Sequence, residues 1–362
     1  MESDMQLAPQ SSWKTYGIPI LAWGLFALHL FWHPPFLSAL LFVALIMAVL
    51  QAVHHAEIIA HAIGEPFGTL LLAIAVTCIE ASLIIALMLA GGPETASLAR
   101  DTIFAAVMII LTGMIGLSIF TGSVRFKEQS FILEGTNAAI MTLVAISVLT
   151  LILPNFTSSV PGPYYSKPQL IFVGIITIIL YGSFLFVQNI KHKDYFVSGE
   201  EIGDEQPIQV SRKDFTISLL LLLLCLTAVV LLAKSLAPDL DALVDRIGAP
   251  HSLAGVLIAL IVLMPEGLSA FNAARNNQLQ KSLNLSLGSA LASICLTLPV
   301  VTFYAILTET PLILGIDNTS SILFLLSLFV VILSLKTGKT SILSGIILLL
   351  IFLVYIFTII FP

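Results

Sequence analysis

Apolar runs of about 17–25 residues, each long enough to cross a ~30 Å hydrocarbon core, follow one another along almost the whole chain. Short clusters of charge separate them. Across 362 residues, 58% are hydrophobic and only 10% charged. A soluble domain is nearer half apolar and a quarter charged. The bilayer is therefore the main solvent, and a formal net charge of −6 matters less than how charge is divided among the loops. Eleven runs read as helices, at 15–33, 36–53, 67–90, 102–121, 132–153, 169–189, 215–236, 252–273, 283–305, 320–335 and 341–361. The expected fold class is an all-α polytopic membrane protein of about 11 transmembrane helices. The first run continues past Trp23 to Trp32 without a small-residue cleavage site, so it reads as a spanning helix and not as a signal peptide. Cys78, Cys225 and Cys295 lie far apart inside apolar runs, which suits packing better than a disulfide framework or a zinc site.

The basic residues give an orientation. With the N-terminus inside, Lys14, Arg125, Lys127, Lys191, Lys193, Arg212, Lys213, Arg275, Lys281, Lys336 and Lys339 are cytoplasmic. Only Arg100, Lys167, Lys234 and Arg246 are then external. That bias obeys the positive-inside rule and puts the C-terminus outside. The expected neighbours are membrane lipids, with no nucleic-acid partner.

A tetrad recurs. Ile63-Gly64-Glu65-Pro66 opens the third run and Ile247-Gly248-Ala249-Pro250 the eighth. Each precedes a long apolar helix with one acid, Glu80 in the first and Glu266 in the second. Those runs are five apart, so they cross in opposite directions. The pattern is that of two inverted five-helix repeats plus one extra N-terminal helix. The expected division is 1–35 for the N-terminus and extra helix, 36–190 for the first repeat, 191–214 for an acidic cytoplasmic loop and 215–362 for the second repeat.

An acid at the centre of a spanning helix costs about 3 kcal/mol on insertion scales, and such acids mark ion pathways more often than they serve structure. Glu80 and Glu266 are thus the candidate cation and proton site, and the candidate metal ligands. Thr77 lies one turn before Glu80. Pro265 precedes Glu266 and leaves the Ile261 carbonyl without its helical bond; freed carbonyls are cation ligands in transporters. Oxygens of this kind suit calcium, which takes six to eight of them. In the next helix of each repeat, Ser289 and Ser293, and Thr112, are supporting candidates, with Gly288 allowing close helix approach. Ordinary small-residue packing explains these equally well. His54, His55, Glu57, His61 and Glu65 at the inner entrance of the third run could relay protons or sense pH, but a solvated interfacial loop is the expectation; Glu200, Glu201, Asp204 and Glu205 could collect or sense cations, but a solvated linker is expected there. A structural, protonated role for the two glutamates, or an acid and base acting on lipid in an intramembrane enzyme, is the alternative. The spans show no nucleophile, histidine set or Asp-rich motif to accompany the latter.

Gly64-Glu65-Pro66-Phe67-Gly68 and Ile79-Glu80-Ala81-Ser82-Leu83-Ile84 resemble the first repeat of ChaA-type bacterial antiporters, members of the calcium:cation antiporter superfamily. Pro265-Glu266-Gly267-Leu268, Asn276-Asn277-Gln278, Asn284-Leu285 and Leu296-Thr297-Leu298-Pro299-Val300-Val301-Thr302 resemble the second. The resemblance implies ten core helices in two inverted repeats, and exchange of Ca2+, in some members Na+ or K+, for H+ at paired acids that fall on Glu80 and Glu266. It implies transported ions, no cofactor and a place in the bacterial cytoplasmic (inner) membrane. Many calcium–proton exchangers carry Gly-Asn shortly before the acid; Val76-Thr77-Cys78 and Leu263-Met264-Pro265 stand here instead, without that amide ligand or backbone break.

Overall fold

The computed structural model describes residues 16–32, 34–64, 67–196, 211–247, 250 and 252–361. Among them eleven helices account for nearly all of the chain, joined by short turns and two isolated β-bridges. They are α1 (Ile18–His29), α2 (Pro35–Ile63), α3 (Phe67–Gly91), α4 (Leu98–Phe126), α5 (Leu133–Phe156), α6 (Lys167–Lys191), α7 (Arg212–Ile247), α8 (Ser252–Arg275), α9 (Leu279–Thr308), α10 (Asn318–Leu335) and α11 (Ile342–Ile360). Ten are long and apolar enough to cross a membrane, and α1 is shorter.

The helix count agrees with the sequence, but two boundaries move. α2 runs on through His54, His55, Glu57 and His61 to Ile63, so that group belongs to a helix and not to a loop. The chain breaks only at Gly64, whose φ of 77° suits a glycine at a helix end. α7 likewise continues through Pro238 to Ile247. Glu65, Pro66, Gly248 and Ala249 of the two tetrads and the acidic cluster Glu200, Glu201, Asp204 and Glu205 lie outside the described residues.

Two compact units emerge. The first comprises residues 1–90 and 206–240, the second 91–205 and 241–362. Neither coincides with a five-helix repeat, since each takes helices from both halves of the chain. In the first unit, the Trp23 indole of α1 donates to the Leu224 carbonyl of α7 at 3.3 Å. Ser38 Oγ on α2 donates to Asp239 on α7 at 2.6 Å.

In the second unit the loops sort to two ends. At one, Ile313 N bonds the Ala96 carbonyl, Leu314 N the Pro163 carbonyl, and Asn155 Nδ2 the Ile316 carbonyl at 2.6 Å. Arg100, ion-paired with half-buried Asp101 at 2.7 Å, also donates to the Gly315 carbonyl. At the other end, Phe131 N bonds the Gly338 carbonyl and Thr340 N the Gln129 carbonyl. Gln129 Nε2 donates to the Ala274 carbonyl and to Asn277 Oδ1 at 3.0 and 3.1 Å. Gln280 accepts from Ile132 N and donates to Asn284, which donates in turn to the Phe196 carbonyl. Arg125, Lys127, Lys193, Arg275, Lys336 and Lys339 all belong to this second end; Arg100 and Lys167 belong to the first. Accordingly α4 and α9 run in opposite directions, as do α5 and α10, and α6 and α11. Glycines bring the backbones together. A Cβ on Gly345 of α11 would lie 2.6 Å from Phe120 N, and one on Gly255 of α8 would lie 2.9 Å from the Asp101 carbonyl carbon on α4. Small residues at such crossings are how helices associate where lipid supplies no hydrophobic drive.

Candidate functional site

Glu80 lies thirteen residues after Phe67 and eleven before Gly91, midway along α3, with 1% of its surface exposed. The rest of α3 is mostly Leu, Ala and Ile, with Ile79, Ala81, Leu83 and Ile84 around the acid buried and Ile74 and Leu89 exposed. Thr77, also buried, shares a face with Glu80 by its i, i+3 spacing. Its hydroxyl donates to the Ala73 carbonyl at 2.8 Å. A hydroxyl has one hydrogen and two lone pairs. With the hydrogen committed to the helix, Thr77 can offer only acceptor density, which is what a cation seeks. Both residues belong to the first unit.

The second unit holds Glu266, Pro265, Thr112, Ser289 and Ser293. α8 passes through Pro265 without breaking, so the missing proline N–H deprives the Ile261 carbonyl of its regular helical partner inside a continuous helix. Glu266 follows directly and is half-buried. Its neighbour Gly267 faces Met114 of α4, whose side chain would be 3.8 Å from an added Cβ. Met114 closes a π-turn, Ile109–Met114, that contains Thr112. Thr112 is fully buried and donates to the Met108 carbonyl at 2.6 Å, again leaving lone pairs outward. α9 carries another π-turn, Ser293–Thr297, opening on buried Ser293; further π-turns are Val148–Ile152 on α5 and Val187–Lys191 on α6. π-turns cluster at functional sites because they widen the helix and alter its hydrogen-bond ladder. The helix after each acid thus has a π-turn with a hydroxyl residue, in helices that run in opposite directions.

α8 packs against both α4 and α9, so Glu266, Thr112 and Ser293 are carried by three mutually packed helices. Ser289 is half-buried one turn before Ser293. Gly288 differs from expectation: a Cβ there would meet nothing within 4 Å, so it is not a close-approach position, whereas Gly255, Gly116 and Gly345 are. Sequence reasoning missed the rest of the α9 stripe. Ser282 Oγ donates to Ser118 Oγ of α4 at 2.8 Å, and Ser286 is fully buried with its hydroxyl unpartnered among the described residues. The spacing of Ser282, Ser286, Ser289 and Ser293 puts all four on one face, a signal present in the sequence.

Comparison with known proteins bears on this arrangement. The family model described as sodium/calcium exchanger protein matches residues 33–189 and 217–361. The y4hA protein of Sinorhizobium fredii, named as an ionic transporter, is 43% identical over 309 residues, covering 85% of this chain and 84% of its own. The sodium-potassium/proton antiporter ChaA of Escherichia coli is 34% identical over 327 residues, covering 89% of this chain and 88% of its own. Among solved structures, the H+/Ca2+ exchanger CAX superposes with a TM-score of 0.72 at 17% identity, covering 97% of this chain and 88% of that one. Native YfkE gives 0.71 at 20% identity, covering 96% and 99%. At these identities the structures speak for the fold.

Proposed function

This chain belongs to the sodium/calcium exchanger protein family, and from that premise we propose that it is a secondary active cation/proton antiporter. Its cargo would be Ca2+ expelled from the cytoplasm, with Na+ or K+ as further substrates, in exchange for H+. The sodium-potassium/proton name of the Escherichia coli relative and the H+/Ca2+ name of a structural neighbour frame that choice. The single observation that carries it is a carboxylate in mid-helix at Glu80, matched in the other half of the chain by Glu266 behind a helix-internal proline.

Glu80 and Glu266 would form one exchange site, with Thr77, Thr112, Ser289, Ser293 and the Ile261 carbonyl freed by Pro265 as additional oxygens. A carboxylate can hold a proton or share in a cation's shell, but not both at once. The pair therefore carries either protons inward or a cation outward. Moving two bare carboxylates through hydrocarbon is prohibitive, and that penalty enforces coupling. The repeats 36–190 and 215–362 would rock about the site, with the extra helix and the 191–214 loop outside that symmetry. We place the protein in a bacterial cytoplasmic membrane, N-terminus inside and C-terminus outside, because basic residues gather at one end of the second unit. The reading of the same carboxylates as acid and base of a lipid enzyme has no support, since the relatives are named as transporters and antiporters. The test is purified protein in proteoliposomes with a trapped pH dye. Calcium, sodium or potassium added on one side should drive proton movement the other way; if none of the three does, the antiport reading fails.

A further inference from the structure

Asp101 is an acid in the first turn of α4 that the exchange site leaves unused. Its carboxylate takes three bonds. Arg100 donates twice to Oδ1, from Nε at 2.8 Å and from a terminal nitrogen at 2.7 Å, and Ser97 Oγ donates to Oδ2 at 2.9 Å. The same guanidinium donates to the Gly315 carbonyl at 3.0 Å. Two residues further on, Asp317 caps α10 by accepting from Ser320 N at 3.1 Å. Asp317 and Tyr355 of α11 are both within electrostatic reach of Asp101. Phe104, one turn along α4, meets the rings of Tyr355 and Phe324 edge-on. The Arg100 and Asp101 side chains are 20% and 11% exposed, so the pair is largely withdrawn from water. Such a pair seldom stabilises more than apolar packing does, because desolvation offsets most of the attraction; its best-attested use is to fix a single register.

The register in question is that of α8 on α4. Gly255 of α8 lies against the Asp101 carbonyl carbon, the Thr102 nitrogen and Asp101 Cβ, which a Cβ on the glycine would meet at 2.9, 2.9 and 3.0 Å. Gly267 of α8 meets Met114 of α4 more loosely, at 3.8 Å. Twelve residues of α8 and thirteen of α4 separate these two contacts. The π-turn Ile109–Met114 takes up the extra residue of α4. The two helices therefore run side by side in one direction for about 18 Å. Glu266, next to Gly267, stands level with Gly113, beside Thr112. The closer of the two contacts is the one at Asp101. A slip of one residue there would carry Glu266 about 1.5 Å along the axis.

We propose that Asp101 is a positioning residue of the exchange site: its lock with Arg100 and Ser97 holds the start of α4, sets the height of α8 against it, and so sets Glu266 against Thr112. The inference rests on the antiport reading. Asp101 touches no transported ion and takes no proton in the cycle; it acts through α8. With the lock weakened, the first turn of α4 and the α8 backbone resting on it are free to shift. Glu266 then meets the cation in poorer geometry. A site held about 1 Å too loosely keeps its residues but loses its grip on the ligand. The effect therefore falls on cation binding more than on the turnover of the loaded protein.

The experiment measures calcium/proton exchange in proteoliposomes as a function of calcium concentration, with heat denaturation in detergent alongside. Asp101→Asn keeps the shape of the side chain and removes the charge that holds Arg100. Its half-saturating calcium concentration should rise about tenfold, with the maximal rate within about twofold of wild type. Ser97→Ala should move the half-saturating concentration the same way by a smaller factor. Ser97→Thr, which keeps the hydroxyl, should leave it at the wild-type value. Asn155→Ala is the control: it removes a bond to the Ile316 carbonyl at the same end of the unit but no part of the lock. It should lower the denaturation temperature and leave half-saturation unchanged. Wild-type half-saturation in Asp101→Asn would overturn the inference and leave the antiport reading intact. An equal rise in Asp101→Asn and Asn155→Ala would mark a general loosening and also overturn it, as would a fall in maximal rate alone. A wild-type protein that exchanges nothing would sink the antiport reading and the inference together. Should Asp101→Asn fail to accumulate, the Ser97 variants decide: a rise in Ser97→Ala that is absent in Ser97→Thr supports the proposal, and equal values refute it.

Discussion

Replacing Gly255 by alanine should loosen α8 from α4, and the size of the effect follows from the packing. The new Cβ would lie 2.9 Å from the Asp101 carbonyl carbon and the Thr102 nitrogen, and 3.0 Å from Asp101 Cβ. Carbon atoms settle at roughly 3.5–4.0 Å, so α8 must retreat by at least about 0.6 Å. The obstructing atoms are mostly backbone, which cannot swing aside as a side chain would. Overpacking of this kind costs about 1–3 kcal/mol. Alanine also gains about 1 kcal/mol over glycine inside a helix, which masks part of that loss. Gly288→Ala supplies the correction: it gains the same propensity where a Cβ meets nothing within 4 Å. The difference between the two variants isolates the packing cost at about 1–3 kcal/mol, a factor of roughly 5–150 in the folded-to-unfolded ratio. Heat denaturation in mild detergent, followed by size-exclusion chromatography, reads that difference. Because α8 carries Glu266 eleven residues further on, exchange should fall in Gly255→Ala and hold in Gly288→Ala. Equal stability of the two variants would refute the reasoning.

Ser118→Ala and Ser282→Ala should each destabilise by about 1 kcal/mol, because each strands a buried hydroxyl, and the double variant should be no worse than either single; additive losses by the same thermal assay would refute the bond. Gln129→Leu removes two bonds that hold the 127–132 turn to the end of α8 and should cost about 1–3 kcal/mol; an unchanged denaturation midpoint would contradict that role. Thr112→Val keeps size and fold but removes an oxygen, so the calcium concentration for half-maximal exchange should rise roughly tenfold, about 1.4 kcal/mol of binding, and an unaltered value would remove Thr112 from the site. Single cysteines at Ser130 and Thr337, in a background without the three native cysteines, should label from one side of the membrane, with Ser158 labelling from the other; labelling of all three from one side would undo the arrangement of the loops.

Much of the fold is legible in the sequence because lipid demands long apolar helices, and charge marks where they end. Legibility stops where polarity is buried. His54, His55 and Glu57 read as the end of α2, yet Gln51 and His55 pair across one helical turn and the helix continues. Proline and a late cluster of charge hid the last turns of α7 in the same way. The π-turns at Ile109–Met114 and Ser293–Thr297 have no local marker, since the residues there differ little from those of a regular helix. Asn277 and Asn284 were noticeable only as part of a resemblance. Their physical reason is two separate carboxamide contacts, Asn277 with Gln129, and Asn284 with Gln280 and the Phe196 carbonyl; Gln129 and Phe196 lie about 90 to 150 residues away in the chain. For the proposed site, the two acids could be read from the cost of placing charge in hydrocarbon. The serine face of α9 could have been read from spacing, but Ser282 and Ser286 gain meaning only once α4 is known to lie against them.

The most direct test of paired carboxylates as the exchange site is calcium-driven proton movement in everted vesicles containing Glu80→Gln or Glu266→Gln protein, with expression measured in parallel. Glutamine keeps the size and polarity of the acid but can neither release a proton nor lend a full charge to a cation. Each variant should accumulate normally and exchange nothing, and the double variant should be no worse than either single, because residues acting as a unit are not additive. Were either glutamate instead a protonated structural residue, glutamine would mimic it and transport would continue. Substantial calcium/proton exchange by a well-expressed Glu80→Gln or Glu266→Gln protein would contradict the account.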